Sequence, residues 1–333
     1  MELTSALVPV MAQTDVAEAR RRAAELTSHL GFDEIVAGNA AIAVTEAATN
    51  LLKHAGGGEL FVGVNPGNAS GLQIVAMDRG RGIRDIPASL RDGVSTAGTP
   101  GNGLGAIKRL ASSFDLYSSA DRGTVISATL YPRTLIAPLV SGISIPAPRE
   151  TICGDAWAAW SAGELTSVFV ADGLGHGREA ARASTVAVAT FLRHAERSAD
   201  HVIHAVHDAL KGTRGAAVAI AEMDRRRGLL QYCGLGNISA RVAASDGTER
   251  QLVSLAGIAG HIARRLNCFT VPWVSGTILI MHSDGIGTRW SLDEYPGLVR
   301  RLPGVVAGVI ARDHRRTTDD ATVVVARHSE MVA

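Results

Sequence analysis

Val168-Phe-Val-Ala-Asp172-Gly-Leu-Gly-His-Gly177 is the stretch that decides how this 333-residue chain is read. The β-branched and aromatic run Val168, Phe169, Val170 predicts a buried strand, and it stops at a carboxylate followed by Gly173, Gly175 and Gly177. Asp172 is therefore expected at a strand end. Glycines there let the backbone turn tightly and approach a ligand, so the Gly173 carbonyl can face whatever Asp172 binds. An Asp-Gly turn is common by itself, and its weight comes from what accompanies it.

Further carboxylates stand at strand ends in the same half of the chain. Asp155 follows Cys153-Gly154; Asp284 lies in Ser283-Asp284-Gly285 after the apolar run from Thr277 to Ile280; Asp319-Asp320-Ala321-Thr322 opens the apolar run Val323 to Ala326. Carboxylates at separate strand termini, with no Cys or His at zinc spacing, describe an all-oxygen site for hard divalent cations such as Mg²⁺ or Mn²⁺. The order Gly-Asp, Asp-Gly-x-Gly-His-Gly, Ser-Asp-Gly, Asp-Asp-x-Thr resembles the metal-dependent PPM-type Ser/Thr protein phosphatases, in their bacterial SpoIIE-like branch, over about residues 138–328. The resemblance implies an αββα sandwich of two central sheets flanked by helices. It also implies two Mn²⁺ or Mg²⁺ ions that activate a water, with Asp172 bridging them helped by the Gly173 carbonyl. Asp155, Asp284 and Asp319 would complete the shells, and Asp320 is a further candidate where the family commonly has Asn. Asp172 and Asp284 are the expected catalytic carboxylates. His176 does not align with relatives reading Asp-Gly-His, because two residues intervene.

Length predicts two domains of ordinary size. A net charge of +1 with both signs scattered calls for neither nucleic acid nor an anionic membrane. No apolar run is expected to reach spanning length, and the first residues lack a secretory pattern, so a soluble cytoplasmic protein is the expectation. Cys153, Cys233 and Cys268 are odd in number and widely spaced, which predicts buried thiols rather than disulfides.

In the first half, a strand within residues 3–12 precedes a helix capped at Thr14-Asp15 and closed by Gly31. A second helix, Phe32 to His54, carries Glu46 and Asn50 on one face. Strands Glu59 to Val64 and Gly71 to Met77 follow, the latter ending in Asp78-Arg-Gly80-Arg-Gly82. Gly101-Asn-Gly103-Leu104-Gly105 then opens a helix from Ala106 to Ser113, and a glycine-rich helix start presents free N–H groups and a positive dipole end to phosphate. Gly123-Thr124 begins the last strand. This series resembles the ATP-binding boxes of the GHKL superfamily, in its RsbT/RsbW class of anti-sigma-factor serine kinases, over about residues 5–132. The resemblance implies a Bergerat-type α/β sandwich binding ATP with Mg²⁺. Asn50 would hold the Mg²⁺, Asp78 would accept from the adenine amino group, Gly80 and Gly82 would give the base room, Gly103, Leu104 and Gly105 would cradle phosphate, and Thr124 would lie near adenine. Glu46 would be the general base of a kinase. Lys53 is a phosphate contact or a solvated lysine, and Arg84 to Pro100 suits a lid over the nucleotide.

The whole chain is thus expected to be α+β, with residues 1–134 a GHKL domain and 135–333 a PPM domain. In the second, Arg178 to Ala195 and Ala199 to Leu210 read as helices, with His201, His204 and His207 on a solvated face. Ala216 to Glu222 and Leu229 to Val242 read as a hairpin. The leading functional expectation is a phosphoserine/phosphothreonine phosphatase with an ATP-binding regulatory domain, acting on a phosphorylated STAS-domain antagonist in bacterial partner-switching or stress signalling. An anti-sigma or switch kinase is a further partner, and a homodimer is compatible. Two alternatives stay open: the first half phosphorylates the STAS partner, or it is a non-catalytic ATP-gated binding module.

Overall fold

The computed structural model describes residues 5–66, 70–90, 103–132, 139–262 and 267–328. The expected boundary after residue 134 and residues 91–102, which include most of the expected lid, lie outside them. Two compact units divide the chain: Met1–Asn65, Ala69–Pro138 and Gly304–Arg312 in one, and Pro66–Asn68, Leu139–Pro303 and Asp313–Ala333 in the other.

The first unit runs β1 (Ala6–Val10), α1 (Gln13–His29), α2 (Glu34–Asn50), β2 (Gly58–Asn65), β3 (Gly71–Met77), α3 (Ile86–Ser89), α4 (Gly103–Leu110), β4 (Ser113–Ser119) and β5 (Gly123–Leu130). Its sheet has the order β1-β2-β3-β5-β4 with antiparallel neighbours. Val16, Ala19, Ala23 and Leu26 of α1, Ala40, Ala43, Val44 and Ala47 of α2 and Ile107 of α4 pack with Leu60, Val62, Leu72, Ile74 and Ala128 of the sheet. Alternate strand residues and helical i, i+3/i+4 residues thus meet in one core, the α/β sandwich expected. The cap of α1 differs from expectation. Asp15 sits inside the first turn and accepts from the N–H groups of Met11 and Ala12, each at 2.8 Å. α2 is capped by Asp33, which accepts from Val36 N at 2.8 Å. It continues as a π-turn, Leu51–Ala55, closed by Gly56 at φ 72°. Glu34–Ala55 is, contrary to the sequence expectation, long and apolar enough to cross a membrane at a mean hydropathy of 1.3. Its alanine content raises that value, while Glu46 and Asn50 lie within it and its Ala40–Ala47 face packs in the domain core. α4 stops at Leu110, and Ser113, the expected end of the helix, opens β4 (Ser113–Ser119), which pairs with β5 throughout. Long-range pairing there overrides local preference.

The second unit contains β6 (Val140–Ile145), β7 (Asp155–Ala162), β8 (Leu165–Gly173), α5 (Arg178–His194), α6 (Ala199–Ala209), β9 (Ala216–Asp224), β10 (Leu229–Leu235), β11 (Ser239–Ala244), β12 (Glu249–Leu252), β13 (Cys268–Pro272), β14 (Thr277–His282) and β15 (Ala321–Arg327). A further helix, α7 (Pro303–His314), lies between β14 and β15 in the chain. Two antiparallel sheets form, β13-β10-β9-β8-β7 and β12-β11-β14-β15-β6. Trp157, Val168 and Val170 from one face Leu279, Met281 and Val324 from the other in a shared core. The opposite face of the first sheet buries Phe169, Ala171 and Ile220 against Ala183, Ala187, Phe191, Val202 and Val206 of α5 and α6. Period-two alternation of Val168, Phe169 and Val170 thus feeds two separate cores.

Two expectations for this unit are corrected. The single strand expected over Leu229 to Val242 breaks at Gly236, φ 108°, where a Cβ would lie 2.4 Å from that of Ala217. β10 therefore stays in one sheet and β11 crosses to the other. Cys233 and Cys268 face each other across β10 and β13 and form a disulfide, leaving Cys153 as the free thiol. Their sequence separation hid an adjacency that strand pairing creates. His201 and His204 are exposed on α6, and His207 Nδ1 accepts from Gly260 N at 3.1 Å.

Candidate active site

Asp155 opens β7 and stands opposite Asp172 near the end of β8 in the antiparallel register. Residues directly opposite share a face, so the two carboxylates lie side by side. Asp284 follows β14 and Asp319-Asp320 precede β15, its neighbour in the second sheet. Glycines bring these turns together. A Cβ on Gly285 would lie 1.8 Å from the Asp320 carbonyl oxygen, and one on Gly173 would lie 2.2 Å from that of Ala180. No larger residue fits at either position.

The electrostatics report the convergence. Burial first, then the charges of Asp155, Asp284 and Asp319, push Asp172 up to about 9. Asp155, 5% exposed, is pushed to about 7 by burial and the Asp320 charge, against hydrogen bonds from Ser283 and Thr322. Asp284 is raised by burial and by Asp319, with Arg316 and Asn237 opposing. Asp320 is raised by burial and eased by the Ala147 N–H. Asp155, Asp284 and Asp319 therefore lie close enough for their charges to act on Asp172.

Asp155, Asp284, Asp319 and Asp320 each also turn an oxygen to a protein donor. Ser283 Oγ donates to Asp155 Oδ2 at 2.6 Å and accepts from Thr322 N at 2.9 Å. Asn237 Nδ2 donates to Asp284 Oδ2 at 2.8 Å, Ala147 N to Asp320 Oδ1 at 2.8 Å, and Asp320 N to Asp319 Oδ1 at 2.9 Å. Consequently, among the described residues, no group of three or more His, Cys, Asp or Glu side chains is posed as a closed cage. Repulsion among like charges favours that splayed arrangement, and side-chain rotation is needed to close it. The donor set still fits hard divalent cations. It is all oxygen, Asp320 Oδ2 is buried with no hydrogen-bond partner, and the carboxylates carry the raised pKa that a cation would reverse.

Sequence reasoning missed Ser283, Thr322 and Asn237. The first two stand inside the Ser-Asp-Gly and Asp-Asp-x-Thr words, so their place was visible and their task was not. Asn237 sits where the chain changes sheets, which no local pattern announces. His176 is exposed, with Nδ1 2.7 Å from Glu150 Oε1. The Cys153 thiol is pushed up by burial and then by Asp155 and Asp320, which keeps it protonated.

In the first unit, Glu46 and Asn50 project from α2 toward the start of α4. A Cβ on Gly103 would lie 3.1 Å from Asn50 Oδ1 and 3.3 Å from Glu46 Oε2. Among the described residues, Asn50 Nδ2 is buried without a hydrogen-bond partner. Gly103, Leu104 and Gly105 form the first turn of α4 rather than a loop ahead of it, so their N–H groups are the unsatisfied ones of a helix start. Asp78 follows β3; its Oδ1 accepts from Gly80 N at 2.7 Å and Thr124 N at 3.1 Å, and burial raises its pKa against those two bonds. Thr124 Oγ1 lies 2.9 Å from Ser118 Oγ, and Gly82 turns at φ 74°. Lys53 is exposed on the π-turn, a local widening that recurs at binding sites. An orphaned amide beside a glycine helix start, with a half-buried carboxylate at the neighbouring strand end, fits a nucleotide with its cation.

Residues 10–130 match the family described as the histidine kinase-like ATPase domain, and residues 162–329 match Stage II sporulation protein E (SpoIIE). The serine/threonine-protein kinase RsbT of Bacillus subtilis is 36% identical over 127 residues, which is 38% of this chain and 96% of that protein. The phosphoserine phosphatase RsbX of the same organism is 24% identical over 137 residues, 41% of this chain and 69% of that protein. A solved structure from work on the bacterial stressosome as a modular system adapted to control secondary messenger signalling shares 30% identity. It covers 56% of this chain and 98% of its own, at a TM-score of 0.53.

Proposed function

The chain belongs to the Stage II sporulation protein E family, with an RsbT-related ATPase domain ahead of the family's domain, and on that premise we propose that it is a metal-dependent phosphoserine/phosphothreonine protein phosphatase with an ATP-binding regulatory domain. The observation that carries this reading is the convergence of strand-end carboxylates: Asp155 stands opposite Asp172 in register and accepts from Ser283 Oγ, the residue before Asp284. Mn²⁺ or Mg²⁺ bound there would neutralise phosphoryl oxygens and lower the pKa of a water. Asp155, Asp172, Asp284 and Asp319 would hold the ions with the Gly173 carbonyl. Ser283 and Asn237 each hold one oxygen of their aspartate. Asp320, bonded to Ala147 N, supports Asp319 from the side.

The substrate proposed is a phosphorylated STAS-domain protein in partner-switching signalling, since the relatives pair a kinase RsbT with a phosphatase RsbX. Purified chain should release phosphate from such a protein only with Mn²⁺ or Mg²⁺. Asp172→Asn and Asp284→Asn should each abolish release while keeping the fold, and full activity in both would remove the metal mechanism. A second reading has its own observation: Glu46 Oε2 and Asn50 Oδ1 both lie against Gly103, as a base and a cation ligand beside a phosphate seat would. That arrangement supports serine kinase activity toward the same partner. ATP-dependent labelling that vanishes in Glu46→Ala supports it; ATP binding without labelling assigns the domain a gating role instead.

A further inference from the structure

α7 is apolar almost all round. Val305, Val306, Val309 and Ile310 are fully buried, as expected of a helix with no polar stripe. It also divides between the two units: Gly304–Arg312 gathers with the first, and Asp313 and His314 belong to the second. Arg312, the last residue on the first side, reaches the nucleotide end of its unit. It is 7% exposed, and its Nη1 donates to the Asp78 carbonyl at 2.9 Å. Arg79 returns the contact, its Nη2 donating to the Arg312 carbonyl. Asp78 N meanwhile donates to Thr124 O at 2.9 Å, and Asp78 Oδ1 accepts from Gly80 N and Thr124 N. The residue that α7 grips by its carbonyl is thus the one whose carboxylate would meet the adenine amino group.

The residues directly after Arg312 lie in the second unit, along the turn that follows Asp284. Gly287 N donates to His314 O and Arg316 N donates to Gly285 O, both at 2.8 Å, and Ile286 pairs antiparallel with Arg315. Tyr295 fixes the helix end beside them, its hydroxyl donating to Asp313 Oδ2 at 3.1 Å and lying 2.9 Å from His314 Nε2. Gly285 has no room to yield, since it abuts the Asp320 carbonyl. A helix end running straight into a backbone ladder is stiff, so a shift of Arg312 is carried along the chain into the Asp284 turn.

We propose that Arg312 is a positioning residue that couples the nucleotide site to the Asp284 turn: a bound base fixes Asp78, Asp78 fixes Arg312, and the end of α7 then holds residues 285–287. The coupling rests on the ATP-binding and phosphatase readings above and deepens them by naming the residue through which one site acts on the other. It acts by ordering, so a site already ordered by its ligand lowers the cost of ordering the second.

The test uses the full chain at fixed Mg²⁺, with and without a saturating non-hydrolysable ATP analogue, as wild type, Arg312→Ala, Arg312→Lys and Arg79→Ala. Arg79 is exposed, so its variant keeps the test decisive if the buried substitution does not fold. Amide hydrogen exchange is followed at residues 78–82, 285–287 and 313–316. In wild type the analogue should slow exchange at all three by roughly fivefold or more. In both alanine variants the slowing should persist at 78–82 and vanish at the other two, and Arg312→Lys should recover part of it. With a phosphoserine peptide, kcat/KM should change on adding the analogue in wild type and stay unchanged in the alanine variants. Slowing confined to 78–82 in wild type overturns the coupling, as does slowing at 285–287 that survives both alanine substitutions. Absence of peptide hydrolysis by the wild type removes the phosphatase reading, and the exchange pattern still decides the coupling. Absence of slowing at 78–82 in wild type removes the ATP-binding reading and the coupling with it.

Discussion

Metal-free protein should lose stability as pH rises, and the loss should be traceable to Asp172. This carboxyl ionises near 3.8 in an unfolded chain and near about 9 when folded, and Asp155 near about 7. Both are raised, so the folded state holds protons that the unfolded state has released. The stability this gives is fully present below the unfolded value of 3.8 and is lost as pH rises through the folded values. Each retained proton contributes a slope of about 1.4 kcal/mol per pH unit. With both carboxyls protonated the slope is about twice that, and above the point where Asp155 ionises it is halved. Asp172→Asn removes one of the two, so as pH rises through the folded values the variant should lose less stability than wild type, by up to about 1.4 kcal/mol per pH unit. All four tryptophans, Trp157, Trp160, Trp273 and Trp290, lie in the second unit. Urea denaturation followed by tryptophan fluorescence in chelator therefore reports this unit and not the ATPase domain. Millimolar Mg²⁺ should flatten the wild-type curve, because a bound cation replaces the protons, and leave the variant nearly unmoved. Wild type and Asp172→Asn with parallel pH profiles in chelator would refute the reasoning, since neither burial nor the neighbouring carboxylates would then be raising Asp172.

Gly285→Ala places a Cβ 1.8 Å from the Asp320 carbonyl, so the Asp284 turn must move away from β15; Mn²⁺ affinity, read by calorimetry, should fall roughly tenfold or more while α-helical circular dichroism is kept. Asn50→Ala should abolish Mg²⁺-dependent ATP binding, measured with a fluorescent nucleotide, with little effect on phosphate release in the absence of ATP. Gly123→Ala, at φ 84° and with a Cβ 2.1 Å from the Asp78 carbonyl, should weaken nucleotide binding and destabilise the first unit by about 1–3 kcal/mol in calorimetric melting. Reducing Cys233–Cys268 should lower the stability of the second unit by about 2–4 kcal/mol in tryptophan-monitored urea denaturation, and a Cys268→Ser variant should no longer respond to reductant.

How far the sequence could be read depended on whether a residue's task is local. Val168 to Gly177 announces a strand and a carboxylate at its end because apolar alternation and an Asp-Gly break are both properties of neighbours in the chain. The same held for Glu46 and Asn50, whose spacing of four puts them on one helix face. What escaped was set by distant pairing. Ser113 reads as the end of a helix until β5 is laid beside it. The break at Gly236 is invisible until Ala217 is known to stand against it. Cys233 and Cys268 become neighbours only because β10 and β13 run together in register. The donors that hold the carboxylates fall between these cases, since Ser283 is adjacent to Asp284 but bonds Asp155, far away in the chain.

The glycines of the acidic words carry the last step. Read from sequence, Gly173 and Gly285 free the backbone to turn and to approach a ligand. Neither adopts a left-handed φ, so conformational freedom is not why they are needed. What each faces is protein: the Ala180 carbonyl beyond Gly173, and the Asp320 carbonyl beyond Gly285. A side chain at Gly173 would push α5 from the end of β8, and one at Gly285 would push Asp284 from Asp319 and Asp320. The motif is therefore a statement about packing as much as about chemistry. Each glycine lets two pieces of backbone close to a distance at which aspartates from separate strands share one field, and Asp172 is raised by burial first and then by those neighbouring charges.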